Sequence, residues 1–410
     1  MWAAARSCVD GGGFIIAGVE ERHMVDADRA ASRMERVPFS GIRDVFEECD
    51  RLERAGRDVV HLEIGRPDFD TPAPIGDAAR EALADGHVHY TSNYGIEPLR
   101  TGIADKLSAE NGIEYDPDSE VVVTTGATEA VLVTMLALVE PGREVLVPDP
   151  RWTYGPITSL AGGEPVPYRL DPATGYQPDL DSLRAAVSER TELLVLNSPH
   201  NPTGGVVSEG RLDAIADFAV DNDLLVLSDE IYEKIRYDDH DHHSPAARDA
   251  LFDRTITING FSKAYSMTGW RLGYLAAPAE LVDPIVRVRQ YTTTCAPSLS
   301  QHAGVRALES GLHEPMVEAF ARRRERVLER IDAIPGMSCP APAGAFYAFP
   351  TTPAGHPDAE AFVHSLLADT SVAFVPGTTF GDAGEGRFRI AYANSLDRID
   401  EAFDRLEDWL

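Results

Sequence analysis

Apolar residues recur along the chain at two spacings, and the two alternate. Ile42, Val45, Phe46, Cys49 and Leu52 fall at helical intervals that Gly56 ends, which predicts a helix over 42–54. Val59–Ile64 reads as a strand closing on Gly65-Arg66-Pro67-Asp68-Phe69, and helical patterns follow over 75–84 and 98–110, with Asn111-Gly112 as the stop. From there short apolar runs take turns with helical stretches. Val121–Val123 precedes a helix from Ala127, and Val145–Val147 precedes one from about Tyr154. Leu193–Leu196, a helical stretch over 212–220, Leu224–Leu227 and Thr255–Ile258 continue the rhythm. Alternation with continuous apolar strands implies an α/β fold, a mostly parallel sheet covered by helices on both faces. After Leu281 the pattern turns helical through Arg306 and the charged run Arg322–Arg330, then mixes short strands (345–349, 372–375, 388–391) with two helices. That shift predicts a smaller α+β domain. The expected division is an N-terminal arm (1–34), a segment joining the small domain (35–64), a large domain (65–294) and the small domain (295–410).

At 410 residues the chain is long enough for one large and one smaller domain. Its 37 basic against 67 acidic residues give a formal net charge of −30, which repels phosphate backbones and anionic lipid, so neither nucleic acid nor membrane is an expected partner. Nearly all the basic residues are arginine, and this acidic, lysine-poor balance resembles the cytoplasmic proteins of salt-accumulating halophiles. Cys8, Cys49, Cys295 and Cys339 lie far apart with no Cys-x-x-Cys pair, which indicates neither a zinc site nor a disulfide framework and fits a reducing cytoplasm. No apolar run reaches the length of a membrane span.

Ligands of an open α/β sheet bind beyond the carboxyl ends of its strands, so candidate chemistry is sought there. The only lysines are Lys106, Lys234 and Lys263. Lys106 falls in an amphipathic helical pattern and Lys234 in a charged run with Glu233 and Arg236, which predicts solvated surface for both. Lys263 follows the strand ending at Gly260, and Gly269, Arg271 and Gly273 precede a second apolar run: strand, lysine, short turn, strand. A lysine so placed reaches into a cleft from a fixed backbone, as Schiff-base chemistry requires. Thr125-Gly126-Ala127-Thr128 opens a helix whose free N–H groups suit a phosphate, although most strand-to-helix turns carry a glycine. Trp152 stands at the rim after the next strand; core packing is the ordinary fate of a tryptophan. Asn197–Gly204, with two asparagines and two prolines, forms a stiff loop. Ser228-Asp229-Glu230-Ile231-Tyr232 follows the strand Leu224–Leu227, and Gly386–Tyr392 places Arg387 and Arg389 on one face of a strand. A guanidinium there can hold a carboxylate through two parallel hydrogen bonds.

Ser262-Lys263 followed by Thr268-Gly269-Trp270-Arg271-Leu272-Gly273, preceded in order by Asn201-Pro202-Thr203-Gly204 and by Asp229 and Tyr232, resembles the class I and II aminotransferases, pyridoxal-phosphate enzymes of fold type I. The resemblance spans residues 35 to 410. It implies that Lys263 carries pyridoxal 5'-phosphate, that Arg271 and Ser262 bind its phosphate within the turn of Gly126, Ala127 and Thr128, and that Trp152 stacks on its ring. Asn201 and Tyr232 would meet the 3-oxygen, Asp229 would keep the ring nitrogen protonated, and Arg389 would hold the substrate carboxylate beside the Gly65 backbone. Tyr90 resembles a tyrosine that reaches the phosphate of a neighbouring subunit, which implies a homodimer with shared active sites. One departure is Gly260, where many members have a serine. The implied activity moves the α-amino group of an L-amino acid, aspartate or an aromatic one favoured, to a 2-oxo acid such as 2-oxoglutarate. A β-eliminating lyase of the cystathionine-cleaving type shares the same cofactor cage. A regulator that has lost catalysis would need an N-terminal DNA-binding domain, for which residues 1–34 are too short. His200 reads as a loop spacer, Glu230 as a structural contact, Arg387 as a surface ion pair, and Asp238–His243 as a solvated loop in preference to a metal site.

Overall fold

A computed structural model describes residues 30–309 and 311–410, so most of the arm expected over 1–34 lies outside the described residues. The first helix, Gly41–Arg54, buries Ile42, Val45, Cys49 and Leu52 at the spacing that predicted it. After it comes β1 (Val60–His61), then the strands β2 (Val121–Thr124), β3 (Glu144–Asp149), β4 (Glu164–Asp171), β5 (Gln177–Pro178), β6 (Thr191–Asn197), β7 (Leu225–Asp229), β8 (Thr255–Gly260) and β9 (Gly273–Ala276). The C-terminal part adds β10 (Tyr347–Ala348), β11 (Val372–Ala373), β12 (Val375–Pro376) and β13 (Phe388–Ala391).

Strands β2 to β9 form one sheet in the order β2-β9-β8-β7-β6-β3-β4-β5. The pairs β3·β4, β3·β6, β6·β7 and β7·β8 are parallel, whereas β9 runs antiparallel to both of its neighbours and β5 antiparallel to β4. Every residue of β2, β3, β8 and β9 is buried, as strands covered on both faces must be. The order reverses between β3 and β6, which opens the crevice where such sheets take ligands. In the C-terminal part β10, β13 and β12 pair antiparallel over a core that includes Phe320, Phe346, Phe374 and Phe388. Among the described residues no helix is long and apolar enough to cross a membrane.

Three elements differ from expectation. The strand expected over 59–64 keeps only two ladder residues, pairing with β11; beyond Leu62 the backbone turns to other work, and the Glu63 carbonyl accepts a hydrogen bond from Arg389. Strand β4 carries Pro165 and Pro167, which hid it in the sequence; both lie where β3 pairs one side of the strand and β5 does not reach the other. The helix expected over 98–110 is α-helical only for Glu97–Lys106 and then widens into a π turn, Leu107–Asn111, whose last side chain accepts a hydrogen bond from Lys106.

Candidate active site

The ends of β3, β6, β7 and β8 and the start of the helix Ala127–Leu138 surround a cleft of about 300 Å³, closed on the far side by β13 and β10. Gly65, Ala127, Thr128, Trp152, Asn201, Asp229, Tyr232, Ser262, Lys263, Arg271 and Arg389 all line it.

Lys263 projects from the turn after β8, where its Nζ donates to the Gly65 carbonyl at 2.6 Å and lies 5.6 Å from the centre of the Tyr232 ring. Burial, then the nearby Arg389, hold its pKa down at about 8, against the partial counterweight of Asp229. Asp229 closes β7 at the floor. Its Oδ2 accepts from the Tyr154 hydroxyl at 2.7 Å and its Oδ1 from the Ile231 N–H at 3.2 Å. Burial raises its pKa, and those two donors work against the rise.

Arg389 is buried on β13 with its guanidinium over the rings of Tyr347 and Phe380, 4.7 and 4.9 Å from their centres. One Nη donates to Asn201 Oδ1 at 3.1 Å and the other to the Glu63 carbonyl at 2.6 Å, while Nε has no partner among the described residues. Because the Asn201 oxygen faces Arg389, its amide N–H₂ is turned the other way. Tyr232 and Tyr347 share a hydroxyl–hydroxyl hydrogen bond of 2.8 Å.

Arg271 takes left-handed backbone angles (φ 52°) after a short 3₁₀ turn, and its Nη1 donates to the Thr268 carbonyl at 3.0 Å. Gly126 precedes the first helical residue, Ala127, at φ 79°, and a Cβ there would sit 2.7 Å from Arg271 Nη2; the missing side chain lets the guanidinium meet the helix start. The departure at Gly260 has a steric reason as well. A Cβ on it would lie 2.9 Å from Gly273 Cα and 3.0 Å from the Leu272 carbonyl across the β8·β9 pair.

Tyr90 stays outside the cleft and is almost wholly exposed on the single chain. Trp152 is partly exposed at the rim, its ring 6.4 Å from that of Phe380. His200 is buried against the Thr203 hydroxyl at 2.8 Å, and burial holds its pKa down at about 3, so it carries no charge. Among the described residues Arg387 makes no ion pair; it donates to the Phe349 carbonyl at 3.2 Å. Two expectations of solvated surface are overturned. The Lys106 side chain is buried in an ion pair with Glu233, and the His242 side chain, from the Asp238–His243 loop, is buried with Nε2 2.7 Å from Glu230 Oε2. Sequence reading assigned no role to Tyr154, at the start of a predicted helix, or to Tyr347, inside a predicted strand, although both line the cleft and their hydroxyls bond to Asp229 and Tyr232.

The sequence profile of the family Aminotransferase class I and II matches residues 57–406. An aspartate aminotransferase of Pyrococcus abyssi is 42% identical over 382 residues, 92% of this chain and 97% of that protein. An aromatic-amino-acid aminotransferase of Thermococcus litoralis is 40% identical over the same shares, 92% and 97%. The crystal structure of an aromatic aminotransferase from Pyrococcus horikoshii superposes with a TM-score of 0.84 at 43% identity, covering 88% of this chain and 98% of that one.

Proposed function

The chain belongs to the class I and II aminotransferases, and from that membership we propose that it moves the α-amino group of an L-amino acid, aspartate or an aromatic one by preference, to a 2-oxo acid such as 2-oxoglutarate, using pyridoxal 5'-phosphate at Lys263. The cleft suits that cofactor. Arg271, whose hydrogen bond goes to a neutral carbonyl, stands at a helix start made open by Gly126, which fits a phosphate dianion. The buried Asp229 carboxylate fits a protonated ring nitrogen, and the outward amide of Asn201 with the Tyr232 hydroxyl fits a phenolate oxygen. When bound, the cofactor supplies an electron sink for the electron pair released at the substrate α-carbon.

The chain's own residues do the rest. Arg389 keeps Nε and one further proton on each Nη for the substrate carboxylate, which fixes the α-carbon beside Lys263. Lys263 Nζ, its pKa held at about 8, would take the proton from that carbon and return it two bonds away, on the far side of the amino nitrogen. Tyr154 holds the Asp229 carboxylate in the ionised form that keeps the ring nitrogen protonated. The exposed Tyr90 supports a homodimer in which it serves the partner's phosphate site, and the acidic, lysine-poor composition supports a salt-rich cytoplasm.

One observation carries the reading: a lysine amine of lowered pKa, a buried carboxylate and a buried arginine with an unsatisfied N–H meet in one cleft. Absorbance of the purified protein in high salt, before and after single amino acids are added without any keto acid, tests it. Conversion of the lysine-bound band to the pyridoxamine form identifies the donors. Pyruvate and ammonia building up instead would establish the β-eliminating lyase, and no band at all would refute the cofactor site.

A further inference from the structure

Beside the cleft, but not part of its chemistry, lies a second group of side chains with ligand character. Cys49 on the helix Gly41–Arg54, His61 in β1 and Glu63 just beyond it each bring one ligand atom within 4.8 Å of the other two. His61 Nδ1 is 2.7 Å from Glu63 Oε1, and on the opposite edge of the ring Nε2 is 3.2 Å from Glu53 Oε1. Cys49 and Glu63 are buried, and the second Glu63 oxygen, Oε2, has no hydrogen-bond partner among the described residues. A buried carboxylate oxygen left without a donor costs roughly 1–3 kcal/mol. A cation against it removes that cost.

We propose that Cys49, His61 and Glu63 bind a divalent transition-metal ion, with zinc as the occupant. One thiolate, one imidazole and one carboxylate suit a borderline-soft ion and disfavour magnesium or calcium, which take oxygen ligands. Bonds of about 2.0–2.3 Å in a tetrahedral arrangement require ligand atoms about 3.3–3.8 Å apart, so the His61–Glu63 contact opens by less than about 1 Å. Water fills the fourth position. Glu53 completes the arrangement, because a metal-bound imidazole is oriented by a carboxylate on its other nitrogen. On binding, the Cys49 thiol and the His61 ring each release one proton to solvent, Glu63 contributes its carboxylate, and no electrons are transferred.

Such an ion joins two walls of the catalytic cleft. The helix carrying Cys49 also carries Ile42 and Phe46, which line the cleft, and the Glu63 carbonyl holds Arg389. Occupancy therefore ties the helix on one side of the cleft to the segment that holds its arginine. No motif announces this site, since Cys49 and His61 come from different elements and meet only in the fold.

The test uses the full chain, stripped with a chelator and titrated with Co²⁺. One equivalent should give visible d–d bands of a four-coordinate thiolate site, and Zn²⁺ should displace it and raise the melting temperature. Cys49→Ala should abolish both effects, whereas Cys295→Ala and Cys339→Ala should keep them; Glu63→Gln should weaken cobalt affinity about tenfold or more. Circular dichroism checks that each variant is folded, and Cys49→Ser gives the same reading should the alanine variant not fold. No cobalt uptake by the wild-type chain, or bands that survive loss of the Cys49 sulfur and so report an adventitious ion only, would overturn the proposal.

Discussion

Asp229 and Glu230 are adjacent, yet they enter two buried polar clusters of opposite kind. On the Glu230 side the chain pairs its own charges. The Ser228 and Ser244 hydroxyls donate to Glu230 Oε1 at 2.8 and 2.6 Å, His242 meets Oε2, and Glu233 pairs with Lys106. Burial pushes the Glu233 carboxyl upward, but Lys106 and His242 outweigh it and hold its pKa down at about 2. On the Asp229 side the charges bond to neutral groups: Asp229 to Tyr154, Lys263 to the Gly65 carbonyl, Arg271 to the Thr268 carbonyl, Arg389 to Asn201. A charge matched within the fold is structural, and a buried charge left with neutral partners is available to a ligand. The first cluster explains stability and the second explains chemistry.

Removing one residue from each cluster breaks the comparison most sharply. Lys263→Ala should lower transamination by about ten-thousand-fold or more, since it removes both the attachment point and the proton carrier, while the urea midpoint stays close to wild type. Full activity in this variant, followed with keto-acid coupled assays, would remove the assignment. Lys106→Met does the reverse. It leaves Glu233 buried without its main partner and should cost about 3–5 kcal/mol in urea unfolding, with the absorbance of bound cofactor unchanged. A loss of cofactor absorbance in the folded variant would mean that the two clusters are one.

The sequence revealed the open cluster better than the closed one, and the reason is physical. Strands β2, β3, β6, β7 and β8 are buried on both faces and leave continuous apolar runs, so their ends, and the residues just past them, can be located by inspection. With three lysines in the chain and one of them in a strand-to-turn position, Lys263 stood out. Lys106 meets Glu233 and His242 meets Glu230 only through the fold, and no local period shows that a charged residue will be buried beside a distant partner. Tyr154 and Tyr347 were invisible for a different reason: an aromatic ring reads as apolar, and the hydroxyl that reaches Asp229 or Tyr232 adds nothing to periodicity. The prolines of β4 misled in the same way, because an unpaired strand side tolerates them.

Tyr154→Phe gives a smaller effect than either charge removal. It deletes one hydrogen bond to an ionised group, an interaction of about 1.5–3 kcal/mol, so kcat should fall roughly tenfold with KM little changed. The Asp229 pKa, already raised by burial, should rise further without that donor, and the acid limb of the activity profile should move to higher pH. An unchanged profile would show that Tyr154 only fills space.

The pH dependence of stability in cofactor-free protein separates the clusters without any change in activity. Lys263 has a folded pKa of about 8 against 10.5 in the unfolded chain, so between those values the unfolded state binds the extra proton and stability rises with pH. Below about 8 both states are protonated and the cost of the buried charge is constant. Glu233 has the opposite signature. Its folded pKa of about 2 lies below the ordinary 4.5, so its contribution is complete above 4.5 and is lost as pH falls toward 2. Urea unfolding across both windows should therefore show the alkaline rise flattened in Lys263→Met alone and the acid loss reduced in Glu233→Gln alone. Either variant flattening the other's window would mean that Asp229 and Glu230 do not divide the charges of this molecule as the hydrogen bonds indicate.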